Sequence, residues 1–192
     1  METVTIPTDI EARLKRFTAC VEPLGVTVAR VPSSAEAAHV VAETAREIEV
    51  GDAVVSSELL AAASAFGTAL SAAGLEYAVP ATVSDTRDRA LGVSLATLGI
   101  SETGSTMLAE RTLEDRAVGL LTRTHITIVR TSDLVPSLAE AASAMRDIAL
   151  RPGGGYGSFV TGPSRTADIE MSLTVGVQGP ARVLTLFVDD LT

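Results

Sequence analysis

The chain has 192 residues, a formal net charge of −9, 46% hydrophobic residues and only 3% aromatic ones, with no tryptophan. That length suits one domain able to bury most of its apolar surface without staples, and the core has to come from Ala, Val, Leu and Ile. The charge argues against nucleic acid, whose phosphates demand a basic face, and against an anionic membrane surface.

Cys20 is the single cysteine. It excludes an internal disulfide framework and leaves no CxxC pair for zinc or an iron–sulfur cluster. His39 and His125 lack ligand spacing, so no metal site is expected. Lys15 is the one lysine, far from any Gly-rich turn, and Asn is absent. Anion recognition therefore falls to Arg, hydroxyls and backbone N–H groups. No apolar run has signal-peptide character or the ~18 residues needed to span a bilayer. The default expectation is a cytoplasmic protein with no membrane insertion.

Apolar residues at helical spacing predict a helix over Ile10 to Val21, ended by Pro23 and Gly25. A short strand follows at Val26 to Val31. Ser33 with Glu36 is a capping-box pattern opening a helix to about Ile48. Asp52 to Ser56 reads as a buried strand, Ser57 to Ala73 as a helix stopped by Gly74, and Leu75 to Val79 as a strand. Arg87 to Leu91 is expected to be a short helix and Val93 to Ile100 a strand, with Thr106 to Ala109 its hairpin return. A short helix at Leu113 to Leu121 and a strong strand at His125 to Arg130 come next. Ser132 or Asp133 should cap an Ala-rich helix reaching Leu150. After a loop at Arg151 to Gly157 come a strand at Ser158 to Thr161, a helix at Ser164 to Val175 and a strand at Val183 to Val188. This alternation implies an α/β fold, a mostly parallel sheet flanked by helices.

Two segments could carry chemistry. Thr161 to Glu170 runs from a strand through Gly162-Pro163 into the expected helix N-terminus, whose free N–H groups suit an anion. Ser164 or Thr166 would cap it, Arg165 adds a planar donor fork, and Asp168 sits in the first turn. The alternative is a capped helix with Arg165 paired to Asp168 or Glu170. Ile100 to Thr106 follows a buried strand and puts Glu102 where parallel sheets gather ligands. Glu102 can act there as base or nucleophile; equally, the segment is a polar turn with Gly104 supplying positive φ. His125 is a candidate proton-transfer group, or a buried hydrogen-bonded histidine. Arg111 and Arg116 could help bind an anion if their helix folds over Glu102. Gly153 to Gly157 lacks GxGxxG spacing and reads as a loop, or as a lid over the Ser164-Arg165 turn.

Ile100-Ser101-Glu102-Thr103-Gly104-Ser105, followed by His125-Ile126-Thr127-Ile128-Val129, resembles the central signature of the LUD domain. Gly162-Pro163-Ser164-Arg165-Thr166-Ala167-Asp168-Ile169-Glu170, followed by Gly176-Val177-Gln178-Gly179-Pro180, resembles its C-terminal signature. The resemblance covers about residues 52–189, within a single domain over 1–192. Gln178 stands where relatives often show His, and Ser105 where Thr is usual. The pattern is similar to the lactate-utilisation protein C type. It implies a fold like the sugar-phosphate isomerase and CoA-transferase superfamily, and a part in bacterial L-lactate oxidation beside cluster-bearing partners. This chain itself is expected to bind no cofactor. The resemblance gives no mechanism; from the residues themselves Gly104, Ser164, Arg165, Thr166 and Asp168 are expected to hold a small carboxylate or other anion, with Glu102 and His125 as catalytic candidates, Glu102 above all in the independent-enzyme alternative. An independent enzyme on phosphorylated or CoA-linked substrates, and a non-catalytic assembly module, are the alternatives.

Overall fold

The structure, a computed structural model, describes residues 9–152, 155–166 and 174–192. Its main sheet is six parallel strands in the order β1 (Thr27–Ser33), β12 (Arg182–Asp190), β7 (Thr124–Arg130), β4 (Leu91–Leu95), β2 (Asp52–Val55) and β3 (Glu76–Ala78). Central β7 is buried from Thr124 to Val129. A strand covered on both faces need not alternate apolar with polar residues.

One face carries α2 (Ser34–Glu47), α3 (Ser57–Ala62) and α4 (Phe66–Ala72). They pack Val41, Leu59, Phe66 and Leu70 against Leu91, Val93, Ile126 and Ile128. The Ser33 hydroxyl accepts from Glu36 N at 3.5 Å and starts α2 as its sequence predicts. The other face carries α1 (Ile10–Val21) and α5 (Leu113–Leu121). Phe17 of α1 meets Phe187 of β12 edge to face, with centroids 5.1 Å apart. At Gly92 of β4 an added Cβ would lie 2.7 Å from the Val118 carbonyl oxygen, so the missing side chain lets α5 sit directly on the sheet.

A second, four-stranded sheet runs β8 (Leu134–Val135), β5 (Leu98–Ile100), β6 (Ser105–Leu108), β9 (Ser158–Val160). With α6 (Leu138–Ala149) it encloses a smaller core around Ile100, Met107, Ala141 and Ile148.

Several predicted elements differ. The helix over Ser57 to Ala73 is two helices, interrupted at residues 63–65. The strand over Val93 to Ile100 is divided between the sheets. Ala96 N donates to Ile128 O in the main sheet at 2.8 Å, and Thr97 N to Met107 O in the second at 2.8 Å. No helix forms over Arg87 to Leu91. Instead Val83–Thr86 makes a 3-10 turn, and β4 begins at Leu91. The Asp85 carboxylate accepts from Ala81 N and Thr82 N at 3.0 and 2.8 Å, drawing the polar residues into that turn. α6 starts at Leu138 rather than near Ser132, because Leu134 and Val135 pair with Gly99 and Ile100.

The largest correction concerns Ser164 to Val175. Its two described ends are strands, β10 (Arg165–Thr166) and β11 (Thr174–Val175), paired antiparallel. β-Branched residues at 166, 174 and 175 favour extended backbone. Gly162 and Gly176, at φ 77° and 78°, turn the chain into and out of the ladder. No helix N-terminus therefore exists at Ser164.

Candidate functional site

β6 leaves the second sheet at Leu108, and Ala109 to Arg111 link it to α5. Glu110 in that link is only 2% exposed. Its Oε1 has no hydrogen-bond partner among the described residues. Burial pushes the carboxyl up to about 7. Its own backbone N–H and Arg116 oppose that shift, and the carboxylates of Glu58 and Asp115 add to it.

Glu110 lines a cleft of about 520 Å³ together with Arg111, Arg116, Arg151, Pro152, Gly155 and Tyr156. The local sequence explains why these groups converge. Thr112 caps α5, accepting from Asp115 N at 3.1 Å. Asp115 in turn accepts from Ser57 N at 2.7 Å and Ser57 Oγ at 2.6 Å. Glu58 accepts from Arg111 N at 2.7 Å. The first turn of α3 thus clamps the Glu110 link. Because α3 follows β2, the cleft lies beside the carboxyl end of a parallel strand, the usual ligand position in such sheets.

Arg116 Nε donates to the Glu110 carbonyl at 3.2 Å, and its guanidinium carbon stands 4.2 Å from the Tyr156 ring centroid. Arg151 Nη1 donates to Ala109 O at 2.8 Å. Among the described residues none of Arg111, Arg116 and Arg151 forms an ion pair. Three guanidinium groups around one cleft favour an anionic ligand, with donors matched to a carboxylate. Gly155 is required for this layout, since a Cβ there would fall 2.0 Å from Ile148 O.

The residues singled out from the sequence lie elsewhere. Glu102 is in the turn between β5 and β6, at the opposite end of β6 from Glu110. Its side chain is exposed. Oε2 accepts from Leu138 N at 3.0 Å, and Oε1 lies 4.0 Å from Arg16. Ser137, at the N-cap of α6, makes no side-chain cap bond, so Glu102 supplies the cap. Glu102→Ala should accordingly cost about 1 kcal/mol of stability, read as a melting-point drop of about 3 °C. An unchanged melting point with lost function would return Glu102 to the site.

Gly104 has φ 67°, and its Cβ position is 2.4 Å from Val21 Cγ1, so it packs against α1. Arg111 and Arg116 flank Glu110, not Glu102. His125 is buried beneath α5, with Nε2 2.7 Å from Ser94 Oγ and Nδ1 without a partner among the described residues. Burial pushes its pKa down to about 4.

The two signature segments do meet. Thr103 Oγ1 donates to Ser105 Oγ at 2.8 Å, and Ser105 Oγ is 2.6 Å from Thr161 Oγ1. Ser164 N donates to Pro180 O and Ser164 O accepts from Gly176 N, both at 2.8 Å. Arg165 is exposed and donates to Leu24 O at 2.6 Å. Thr166 pairs with Thr174. Asp168 lies outside the described residues. Of the Gly153 to Gly157 loop, Gly155 and Tyr156 line the Glu110 cleft, and Gly153 and Gly154 lie outside the described residues.

Sequence reasoning missed Glu110 because Ala-Glu-Arg before a capped helix looks like a polar link. Only the packing of α3 and α5 around it shows the carboxyl to be buried. Among the described residues no group of three or more His, Cys, Asp and Glu could hold a metal ion. None of the described helices is long and apolar enough to cross a membrane.

Comparison with known proteins adds to this geometry. A family model described as the LUD domain matches residues 14–188. "Lactate utilization protein C" of Geobacillus kaustophilus is 37% identical over 103 residues, covering 52% of this chain and 42% of that protein. "Lactate utilization protein C 1" of Bacillus mycoides is 38% identical over 103 residues, covering 52% and 44%. The match thus spans less than half the length of these relatives. In a crystal structure, a DUF162 family protein from Deinococcus radiodurans superposes with a TM-score of 0.61 over 95% of this chain and 99% of that one. At 22% identity this likeness concerns the fold alone.

Proposed function

The chain belongs to the LUD domain family, and from that premise we propose that it serves lactate utilisation as the component that holds the 2-hydroxy or 2-oxo acid. The observation that carries this reading is a buried Glu110, its Oε1 without a partner among the described residues, in a cleft bordered by three arginines that form no ion pair among those residues. Arg111, Arg116 and Arg151 take the substrate carboxylate. Glu110, with its carboxyl poised near 7, accepts the proton of the substrate hydroxyl.

Oxidation of lactate to pyruvate releases two electrons and two protons: the hydroxyl proton passes to Glu110, and the C2 hydrogen leaves as a proton to solvent as its electron pair departs. One cysteine cannot supply the four thiolates of a cluster. In this reading the electrons leave to iron–sulfur clusters on partner proteins, as the family resemblance implies, in the cytoplasm. The names of the relatives support the pathway, and the cleft supports the carboxylate.

Titration of the purified chain with lactate and with pyruvate tests the reading. Arg116→Ala should weaken binding by about 1.5–3 kcal/mol, the cost of a lost charge-assisted bond. Absence of any affinity in the unaltered protein, alone or with its partners, would refute it. So would undiminished affinity in the variant.

A further inference from the structure

The outer face of α5 is unusually apolar for a helix that meets solvent. Leu113 is 63% exposed, Leu120 50% and Leu121 44%. With Val83 they border a groove of about 320 Å³ whose lining includes no carboxylate. An apolar patch of this kind marks a contact or a ligand.

The groove adjoins the cleft already described. Arg116 and Tyr156 line both, stacked 4.2 Å apart between them. On one side of that pair lie Glu110, Arg111 and Arg151, and on the other the leucines. Lactate, with six heavy atoms and one methyl group, occupies a small part of a 520 Å³ cleft and leaves the groove empty. A cationic head site beside an apolar surface groove matches an anion whose hydrocarbon tail crosses the Arg116–Tyr156 pair.

Building on the carboxylate reading of the cleft, we infer that the site also takes 2-hydroxy or 2-oxo acids with a side chain of several methylenes, the carboxylate among the arginines and the tail along α5. Each buried methylene gives about a fourfold gain in affinity. Three added methylenes should therefore give roughly fiftyfold.

Calorimetric titration of the full chain with lactate and with 2-hydroxyhexanoate tests this. The longer acid should bind tens of times more tightly. Leu113→Ser combined with Leu120→Ser should reduce that ratio several-fold; both side chains are exposed, so the fold should tolerate the change. Equal affinities for the two acids, or a ratio unmoved in the double variant, would overturn the inference while leaving the carboxylate site standing. Binding of neither acid would overturn the carboxylate reading instead. Light scattering covers the remaining occupant: a dimer that becomes a monomer in the double variant would make the groove a contact between copies and overturn the tail assignment. If the double variant fails to fold, the chain-length series in the unaltered protein still decides.

Discussion

Glu110→Gln should raise stability at pH 8 by about 3 kcal/mol while abolishing function. The carboxyl titrates at 4.5 when unfolded and at about 7 when folded. A folded value raised above the unfolded one means that the native state holds the proton more tightly. The resulting stability is complete below pH 4.5 and is lost as pH climbs through 7. Raising the carboxyl from 4.5 to about 7 corresponds to about 3 kcal/mol. Because Glu110 is 2% exposed, solvent does little to screen this cost. Glutamine has the same shape without the charge, so the cost disappears in the variant. For a chain of this size the melting point should rise by roughly 6–12 °C at pH 8 and change little at pH 4.5. A melting point unmoved at pH 8 would show the native carboxylate to be well solvated. The same variant should fail to restore growth on L-lactate in a strain lacking the protein. A residue retained where it costs stability, and required for growth, is the pattern of a functional group. Full rescue by the variant would leave the buried carboxyl without a role.

Much of this architecture was legible in the chain. Period-3.6 apolar spacing located α1, α2 and α5, and the run from His125 to Val129 announced the central buried strand. The failures share one cause. Val93 to Ile100 reads as a single strand because its residues all favour extended backbone, and nothing local says that Ala96 pairs with one sheet and Thr97 with another. Ser164 to Val175 has a helix-like opening, yet its described ends pair as strands, with Gly162 and Gly176 at positive φ just outside the ladder. The Glu110 cleft was the least legible part. Glu102 was conspicuous because its neighbours form a signature, but its carboxylate caps α6. Glu110 has no signature and draws its character wholly from burial beside Glu58, Asp115 and Arg116. Arg111 and Arg116, expected beside Glu102 if their helix folded over it, stand beside Glu110 instead. Chemistry that comes from desolvation is set by tertiary packing, so local pattern does not reveal it.

His125 should make the fold acid-labile, in a way that Glu110 masks. Its imidazole is wholly buried, and burial lowers its pKa from 6.5 to about 4. The folded state refuses a proton that the unfolded chain accepts. Stability from the neutral ring is present above pH 6.5 and is lost as pH falls through 4, again by about 3 kcal/mol. Protonation would also put a charge on Nδ1, which has no partner among the described residues to receive its hydrogen. Between pH 4.5 and 6.5 this slope opposes the one from Glu110, which loses stability as pH rises. The two nearly cancel there, so the unaltered protein should show an almost flat melting curve across that window. Removing either group exposes the other. Glu110→Gln should lose about 3 kcal/mol on going from pH 7 to pH 4, and His125→Gln should instead gain stability as pH is lowered from 7 to 4.5. Asp85 and Asp189, held below the ordinary carboxylate range by hydrogen bonds, add acid lability only at lower pH. Thermal melts of the three proteins at half-unit pH intervals separate the contributions, because each is read as a slope and not as an absolute stability. Parallel curves for all three would mean that neither buried group titrates in this range, and would remove the electrostatic basis for Glu110 as the cleft's proton acceptor.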